Sequence, residues 1–88
     1  METVTITYEV DVKHLLKQWN NADIKLRVHE SFLNIYREGY FIAMPMENIT
    51  RIVHQPDVAY SIQTDTCSIT IFENINELII TNYTNHNG

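Results

Sequence analysis

The sequence predicts a β-rich α+β fold, either an antiparallel meander sheet or a small half-open barrel of seven or eight short strands, with one N-terminal helix packed on it. Three observations favour this class. Several short segments rich in β-branched residues alternate between apolar and polar positions, as strands with one buried face do. Turn-forming residues separate these segments about every 8–12 residues. Only one segment, about residues 11–20, has the spacing of an amphipathic helix.

The N-terminal segment is expected to form a strand and then this helix. From Thr3 to Val10, apolar side chains occupy every second position. Asp11 follows, and aspartate is a favoured N-cap residue. The apolar residues after it recur at i, i+3, i+4 and i+7, as Val12, Leu15, Leu16 and Trp19. Because so short a helix is marginal in water, it is expected to dock its apolar face on the sheet.

The middle of the chain is expected to form three strands joined by tight turns. These strands are predicted at Ile24–Glu30, Phe32–Arg37 and Tyr40–Met44. The pair Glu38-Gly39 indicates a hairpin, because glycine takes the positive φ that such turns need. Pro45 is expected to end the third strand, because proline has no N–H to donate to a ladder.

The C-terminal half is expected to supply the remaining strands. Ile49–His54 fits a strand or, together with Met46, a short helix; its β-branched residues favour the strand. Three more strands are predicted at Val58–Thr64, Thr66–Phe72 and Glu77–Tyr83. The last is apolar on both faces at Leu78–Ile80, so it is expected to be central or covered by a second subunit. The polar residues 83–88 are expected to fray.

Size and charge narrow the class of protein. The 88 residues suffice for one domain, residues 1–88, and the net charge is −5. An acidic chain argues against nucleic acid, because affinity for a phosphate backbone comes mostly from Lys and Arg. One cysteine allows no internal disulfide, and we find no secretion leader and no apolar run long enough for a membrane span. A cytoplasmic protein is therefore expected.

No residue pattern points to catalysis, a cofactor or a metal. The histidines, His14, His29, His54 and His86, lack the spacing of zinc ligands. Cys67 has no neighbouring base and is interpreted as a small buried apolar residue. The carboxylates are dispersed and lie mostly at turns. We therefore expect a non-enzymatic protein without cofactor or metal.

Two sets of residues are candidates for binding. A partner-protein interface is predicted at Tyr36, Tyr40, Phe41, Met44 and Met46, although core packing also explains these residues. A site for a small anionic ligand, such as a nucleotide, is the alternative, at Lys25, Arg27, His29, Arg37 and Arg51, although a solvated strand face explains these as well. The leading interpretation is a self-associating module that binds a partner protein. Its acidic composition, rich in Ile, Asn and Thr, is typical of small accessory or inhibitor proteins of phages and mobile elements.

Overall fold

The computed structural model describes residues 6–83, which form eight strands, one α-helix and one 3-10 turn. In chain order, the elements are β1 (Tyr8–Val10), α1 (Val12–Gln18), β2 (Ile24–His29), β3 (Phe32–Arg37), β4 (Tyr40–Pro45), the 3-10 turn (Met46–Asn48), β5 (Ile49–Gln55), β6 (Ala59–Thr64), β7 (Cys67–Phe72) and β8 (Leu78–Asn82). The predicted β-rich α+β class with antiparallel strands and a single N-terminal helix is confirmed.

The strands form two antiparallel sheets and not one closed barrel. The large sheet has the order β1-β5-β6-β7-β8, and the small sheet has the order β2-β3-β4. Between them runs the 3-10 turn, which carries the chain from β4 into β5. Within the described residues, every pairing except β1 with β5 joins strands that follow one another in the chain.

The helix docks as its apolar spacing predicts. Asp11 caps it, because its Oδ1 accepts a hydrogen bond of 2.7 Å from the backbone N–H of His14. Leu15 is completely buried in the core. Trp19 leaves the helical conformation, so α1 ends at Gln18, slightly before the expected end. Its indole Nε1 donates a hydrogen bond of 2.7 Å to the carbonyl of Ile24, which joins the helix end to β2.

Tight turns set the register of the small sheet. Gly39 has a φ of +73°, and Arg37 lies directly opposite Tyr40, so the predicted hairpin at Glu38-Gly39 is confirmed. A second two-residue turn, Glu30-Ser31, places His29 opposite Phe32. There Glu30 itself takes the positive φ of 57°. Together these two turns determine which side chains share a face.

The core lies between the inner faces of the two sheets and the helix. Its buried members include three isoleucines that lie opposite one another on neighbouring strands, Ile52, Ile62 and Ile69. Leu33 and Ile35 face them from the small sheet, as members of the same buried cluster. This continuous aliphatic cluster explains how a chain of this size folds without a disulfide.

Of three expectations about individual strands, one is confirmed and two are corrected. The strand interpretation of Ile49–His54 is confirmed by β5, and helical structure is limited to the short turn before it. β8 is an edge strand and not a central one, and Ile79 and Ile80 remain 49% and 38% exposed. The first strand begins only at Tyr8, and the earlier part of its predicted range, 3–5, lies outside the described residues.

Of the tail predicted to fray, residues 83–88, the structure describes only Tyr83. The backbone N–H of Tyr83 donates a hydrogen bond of 2.9 Å to the carbonyl of Thr66. Residues 84–88 lie outside the described residues. Within residues 6–83, no helix has the length and apolar character needed to cross a membrane.

Candidate functional site

The most distinctive surface is the outer face of the small sheet, which points away from the core. Residues that lie directly opposite each other in an antiparallel ladder point to the same side. The register therefore places nine side chains on this face, in the rows Lys25–Tyr36–Phe41, Arg27–Asn34–Ala43 and His29–Phe32–Pro45. We call these nine residues the outer face of the small sheet.

Aromatic side chains dominate one side of this outer face. Tyr36 and Phe41 form a cross-strand pair with ring centroids 5.1 Å apart. Phe41 is 55% exposed, and Tyr36 and Phe32 are also exposed. These solvent-exposed rings leave apolar surface that folding does not bury. Groups of exposed rings on a rigid sheet are typical of binding surfaces.

The charge on this face has the opposite sign to that of the whole protein. Lys25, Arg27 and His29 project from β2, and none of the nine residues is acidic. Within residues 6–83, neither Lys25 nor Arg27 takes part in a salt bridge. The outer face is therefore a positive, aromatic surface on a chain whose net charge is −5.

A buried amide lies at the centre of the face. Asn34 is surrounded by the exposed rings and cations and is itself buried. Its Nδ2 donates a long hydrogen bond of 3.4 Å to the hydroxyl of Tyr36. This contact runs along β3, between side chains two residues apart on the same face of the strand. The amide thereby orients one of the aromatic side chains of the surface.

An open cleft of about 710 Å³ lies where α1 meets β2. Trp19 and residues 20–22 form one wall, and the strand residues 24–27 together with Tyr36 form the other. The cleft thus begins at the cations of the outer face and continues around the free edge of β2, since β3 occupies only the other edge of this strand.

The five residues expected to bind an anionic ligand do not assemble. Lys25, Arg27 and His29 share the outer face, as predicted. Arg37 belongs to the opposite face, where its guanidinium donates to the side chain and backbone oxygens of Asn76 at 2.8 and 2.9 Å. The fifth residue, Arg51, lies on the large sheet, 3.7 Å from a carboxylate oxygen of Glu9. The prediction is corrected to the three β2 residues.

The five residues expected to form a partner interface also divide. Tyr36 and Phe41 share the outer face, whereas Tyr40 is exposed on the other side of β4, because the turn places it opposite Arg37. Met44 is only 5% exposed and belongs to the core. Met46 is half-buried against the same core. Both methionines are therefore removed from the predicted interface, because the alternation of β4 and the following turn direct them inward.

A buried polar cluster was not predicted. His54 stacks on Tyr60 with ring centroids 3.8 Å apart and an interplanar angle of 4°. His54 Nε2 donates a hydrogen bond of 3.0 Å to Glu73 Oε2. Tyr8 and Trp19 contact these stacked rings edge-on. The period of two in β5, which puts His54 on the same face as Ile52, was the available signal.

The environment of Tyr60 disfavours its ionised form. Burial raises the pKa of the Tyr60 phenol above its ordinary value, and the negative charge of Glu73 and the nearby Tyr8 raise it further. Neither the Tyr60 hydroxyl nor His54 Nδ1 has a hydrogen-bonding partner among the protein groups of residues 6–83. We interpret the cluster as part of the core, because its stacked rings, His54 and Tyr60, are buried.

Metal binding and similarity to known proteins give no further indication of the function. In the part of the chain that the structure describes, no group of three or more His, Cys, Asp or Glu side chains is placed to hold a metal ion. No protein-family model, no curated protein and no solved structure matches the chain. The candidate site is therefore defined by the geometry of the outer face and its cleft.

Proposed function

We propose that this chain is a non-enzymatic interaction module that binds a partner protein through the outer face of the small sheet. The observation that supports this proposal is the combination, on one face, of three exposed rings, Phe32, Tyr36 and Phe41, with two cations. These cations, Lys25 and Arg27, form no salt bridge with any other residue of the described range 6–83. Aromatic and arginine side chains supply most of the binding energy at protein interfaces. A rigid sheet presents them at little cost in conformational entropy.

The proposal assigns no catalytic role to the chain. The only close set of titratable side chains within residues 6–83 that resembles an acid–base group is His54, Tyr60 and Glu73. Tyr60 is completely buried and His54 almost so, which leaves no room for a substrate beside them. We further propose a cytoplasmic location and an accessory or inhibitor role of the kind found in phages and mobile elements; composition supports the second of these.

Site-specific photo-crosslinking in the cells that express the chain tests the proposed surface. A photoreactive phenylalanine analogue replaces Phe41 in one variant and Gln63 in a control. Gln63 lies on the outer face of the large sheet, opposite Arg51 and Ser68. We expect position 41 to give one discrete adduct with a partner and position 63 to give none. Adducts from position 63 alone, or equal adducts from both positions, would contradict the proposal.

The second candidate is a small anionic ligand in the cleft. The volume of about 710 Å³ lies within the range of small-molecule sites, and Lys25, Arg27 and two aromatic rings line it. The test is thermal stabilisation by nucleotides, compared between the wild type and a Lys25→Ala/Arg27→Ala variant. A Lys13→Ala/Lys17→Ala variant on the helix carries the same change of charge. Stabilisation lost only in the cleft variant favours the ligand, and absence of any stabilisation in the wild type argues against it.

We also propose that the chain self-associates through β8. This edge strand carries no charge and no proline, and its isoleucines are exposed on both faces. An edge strand that lacks charged residues and proline readily pairs with another chain. Antiparallel pairing of two β8 strands would form a closed dimer. Light scattering is expected to give a dimer mass for the wild type and for Thr70→Lys, and a monomer mass for Ile79→Lys. Thr70 is the matched control because it lies directly opposite Ile79 on β7, away from the edge. A monomeric wild type would contradict this.

A further inference from the structure

We infer that the free edge of β2 adds an extended, acidic segment of the partner protein as a fourth strand of the small sheet. The inference rests on the proposed function and names the chemistry of the partner. Adding a strand to an exposed edge is a common way for sheets to bind peptides, because main-chain hydrogen bonds supply affinity and alternate side chains supply specificity.

The ladder pattern identifies the open backbone groups of β2. In an antiparallel pair, hydrogen-bonded and non-bonded residue pairs alternate, and the pair that closes a two-residue turn is hydrogen-bonded. His29 with Phe32 closes the turn, so Arg27 and Lys25 also bond to β3. The backbone N–H and C=O of Leu26 and Val28 therefore point away from β3, toward the free edge.

An independent contact supports this assignment. The carbonyl of Ile24, in phase with Leu26, points away from β3, because it accepts the hydrogen bond from Trp19 Nε1. Trp19 thus occupies the first position of the edge. Across residues 6–83, no group outside the small sheet forms a hydrogen bond with the backbone of Leu26 or Val28. Along the free edge of β2, the carbonyl of Ile24 is therefore occupied by Trp19, and the backbone groups of Leu26 and Val28 remain available to an added strand.

Charge selects the occupant of the open edge. Lys25, Arg27 and His29 alternate along β2 on the outer face. A second copy of β2 would place cations beside cations, which disfavours self-pairing. A strand with acidic side chains at every second position would set them beside Lys25 and Arg27. An acidic partner segment therefore fits this edge better than another copy of the chain.

The alternation of β2 also specifies the other half of the incoming sequence. Alternating with Lys25, Arg27 and His29, the side chains of Leu26 and Val28 point to the inner side and are half-buried. The neighbouring residues of an added strand would lie beside them, and the one beside Leu26 would enter the cleft that reaches Trp19. Apolar residues are favoured there because they would complete the burial of this edge. The expected motif alternates acidic and apolar residues over about four to six positions.

The test uses synthetic peptides of about eight residues, long enough for one strand. One peptide alternates Glu and Val, and a second alternates Lys and Val. The third is the Glu peptide N-methylated on every second amide, prepared in two phases, one for each of the two alternating sets of amides. Binding is followed by the fluorescence of Trp19, the single tryptophan of the chain. Binding sites are located by amide hydrogen exchange at Leu26 and Val28.

We expect the Glu peptide to bind and to slow exchange at Leu26 and Val28. N-methylation in one of the two phases is expected to abolish binding, because it removes the donors that face β2. The Lys peptide should not bind. The Lys25→Ala/Arg27→Ala variant should bind the Glu peptide about 2- to 30-fold more weakly, because two exposed ion pairs are lost. Lys13→Ala/Lys17→Ala should bind it as the wild type does.

Three results would overturn the inference. Equal binding of the methylated peptides would mean that the charges act without strand addition. Failure of the Glu peptide to bind would remove the edge as the docking site. Binding of a single-stranded oligonucleotide, with no peptide bound, would assign the face to nucleic acid. The crosslink from position 41 distinguishes these failures from failure of the proposed function, because it reports a partner on the outer face whatever its sequence.

Discussion

Replacing Tyr60 by phenylalanine should stabilise the protein, although it removes a polar group from a well-packed core. The ring keeps its stacked contact with His54 at 3.8 Å and its edge contact with Trp19 at 5.9 Å. Only the hydroxyl is lost. That hydroxyl is buried and has no protein partner within residues 6–83.

Two opposing contributions determine the size of the effect. A buried polar group left without a hydrogen bond costs about 1–3 kcal/mol of folding free energy, which the substitution recovers. The space left by one oxygen atom costs no more than about 1 kcal/mol, the value for a methyl-sized void. The net gain in free energy of unfolding is expected to be about 1 kcal/mol at neutral pH. For a domain of this size, that raises the Tm by about 4–8 °C.

Alkaline pH should enlarge the difference. Burial raises the pKa of Tyr60 in the folded state above its value of about 10 in the unfolded chain. This titration therefore leaves the free energy of unfolding of the wild type unchanged below pH ~10. As pH rises from there toward the folded-state pKa, Tyr60 ionises first in the unfolded chain, and the wild type loses stability. Between the two values, the wild type should lose up to about 1.4 kcal/mol per pH unit through this residue. The phenylalanine variant lacks this loss.

Urea unfolding of both proteins at pH 7 and pH 10.5, followed by circular dichroism, provides the assay. Other tyrosines and lysines titrate in both proteins, so the quantity of interest is the difference between wild type and variant. A variant that is less stable than the wild type by 1 kcal/mol or more at pH 7 would refute the reasoning. Such a result would mean that the hydroxyl makes a hydrogen bond, for example to a buried water shared with His54.

Three further substitutions test the elements that support the fold. Asp11→Ala should cost about 1 kcal/mol in urea unfolding, because it removes the helix cap, whereas Asp65→Ala in a turn should cost less. Gly39→Ala should cost about 1 kcal/mol through its φ of +73° alone, because an added Cβ meets no atom within 4 Å; an unchanged unfolding midpoint would contradict this. Ile62→Ala should cost about 2–5 kcal/mol and Ile75→Ala, at an exposed position outside β8, under about 1 kcal/mol, as measured by thermal unfolding, and equal costs would contradict the core assignment.

The parts of the fold that were predictable are those with local causes. Alternation over a few residues located the strands, and Glu38-Gly39 located a hairpin, because both depend on neighbouring residues. The same hairpin register could have shown that Tyr36 and Phe41 share a face while Tyr40 does not. The chain divides into two sheets because β5 does not pair with β4, and β1 joins the large sheet by pairing with β5; no local pattern encodes either arrangement.

The candidate site was predictable to a similar extent. Lys25, Arg27 and His29 share a face because of the period of two within a single strand. Arg37 and Arg51 were assigned to that site without a register, and each is held elsewhere by its own partner. The cleft beside Trp19 forms where a helix end meets a sheet edge, so its lining depends on tertiary packing.

The topology also has a consequence for how the chain folds. The strands β2–β4 and the strands β5–β8 each form a meander of hairpins that close short loops. By contrast, β1 pairs with β5 although all three strands of the small sheet lie between them in the chain. Loop-closure entropy makes such distant contacts the slower ones to form. The three residues of β1 should therefore join last and open first. Hydrogen exchange at β1 would then measure the docking of the two meanders, and exchange at β3 and β6 would measure the formation of each.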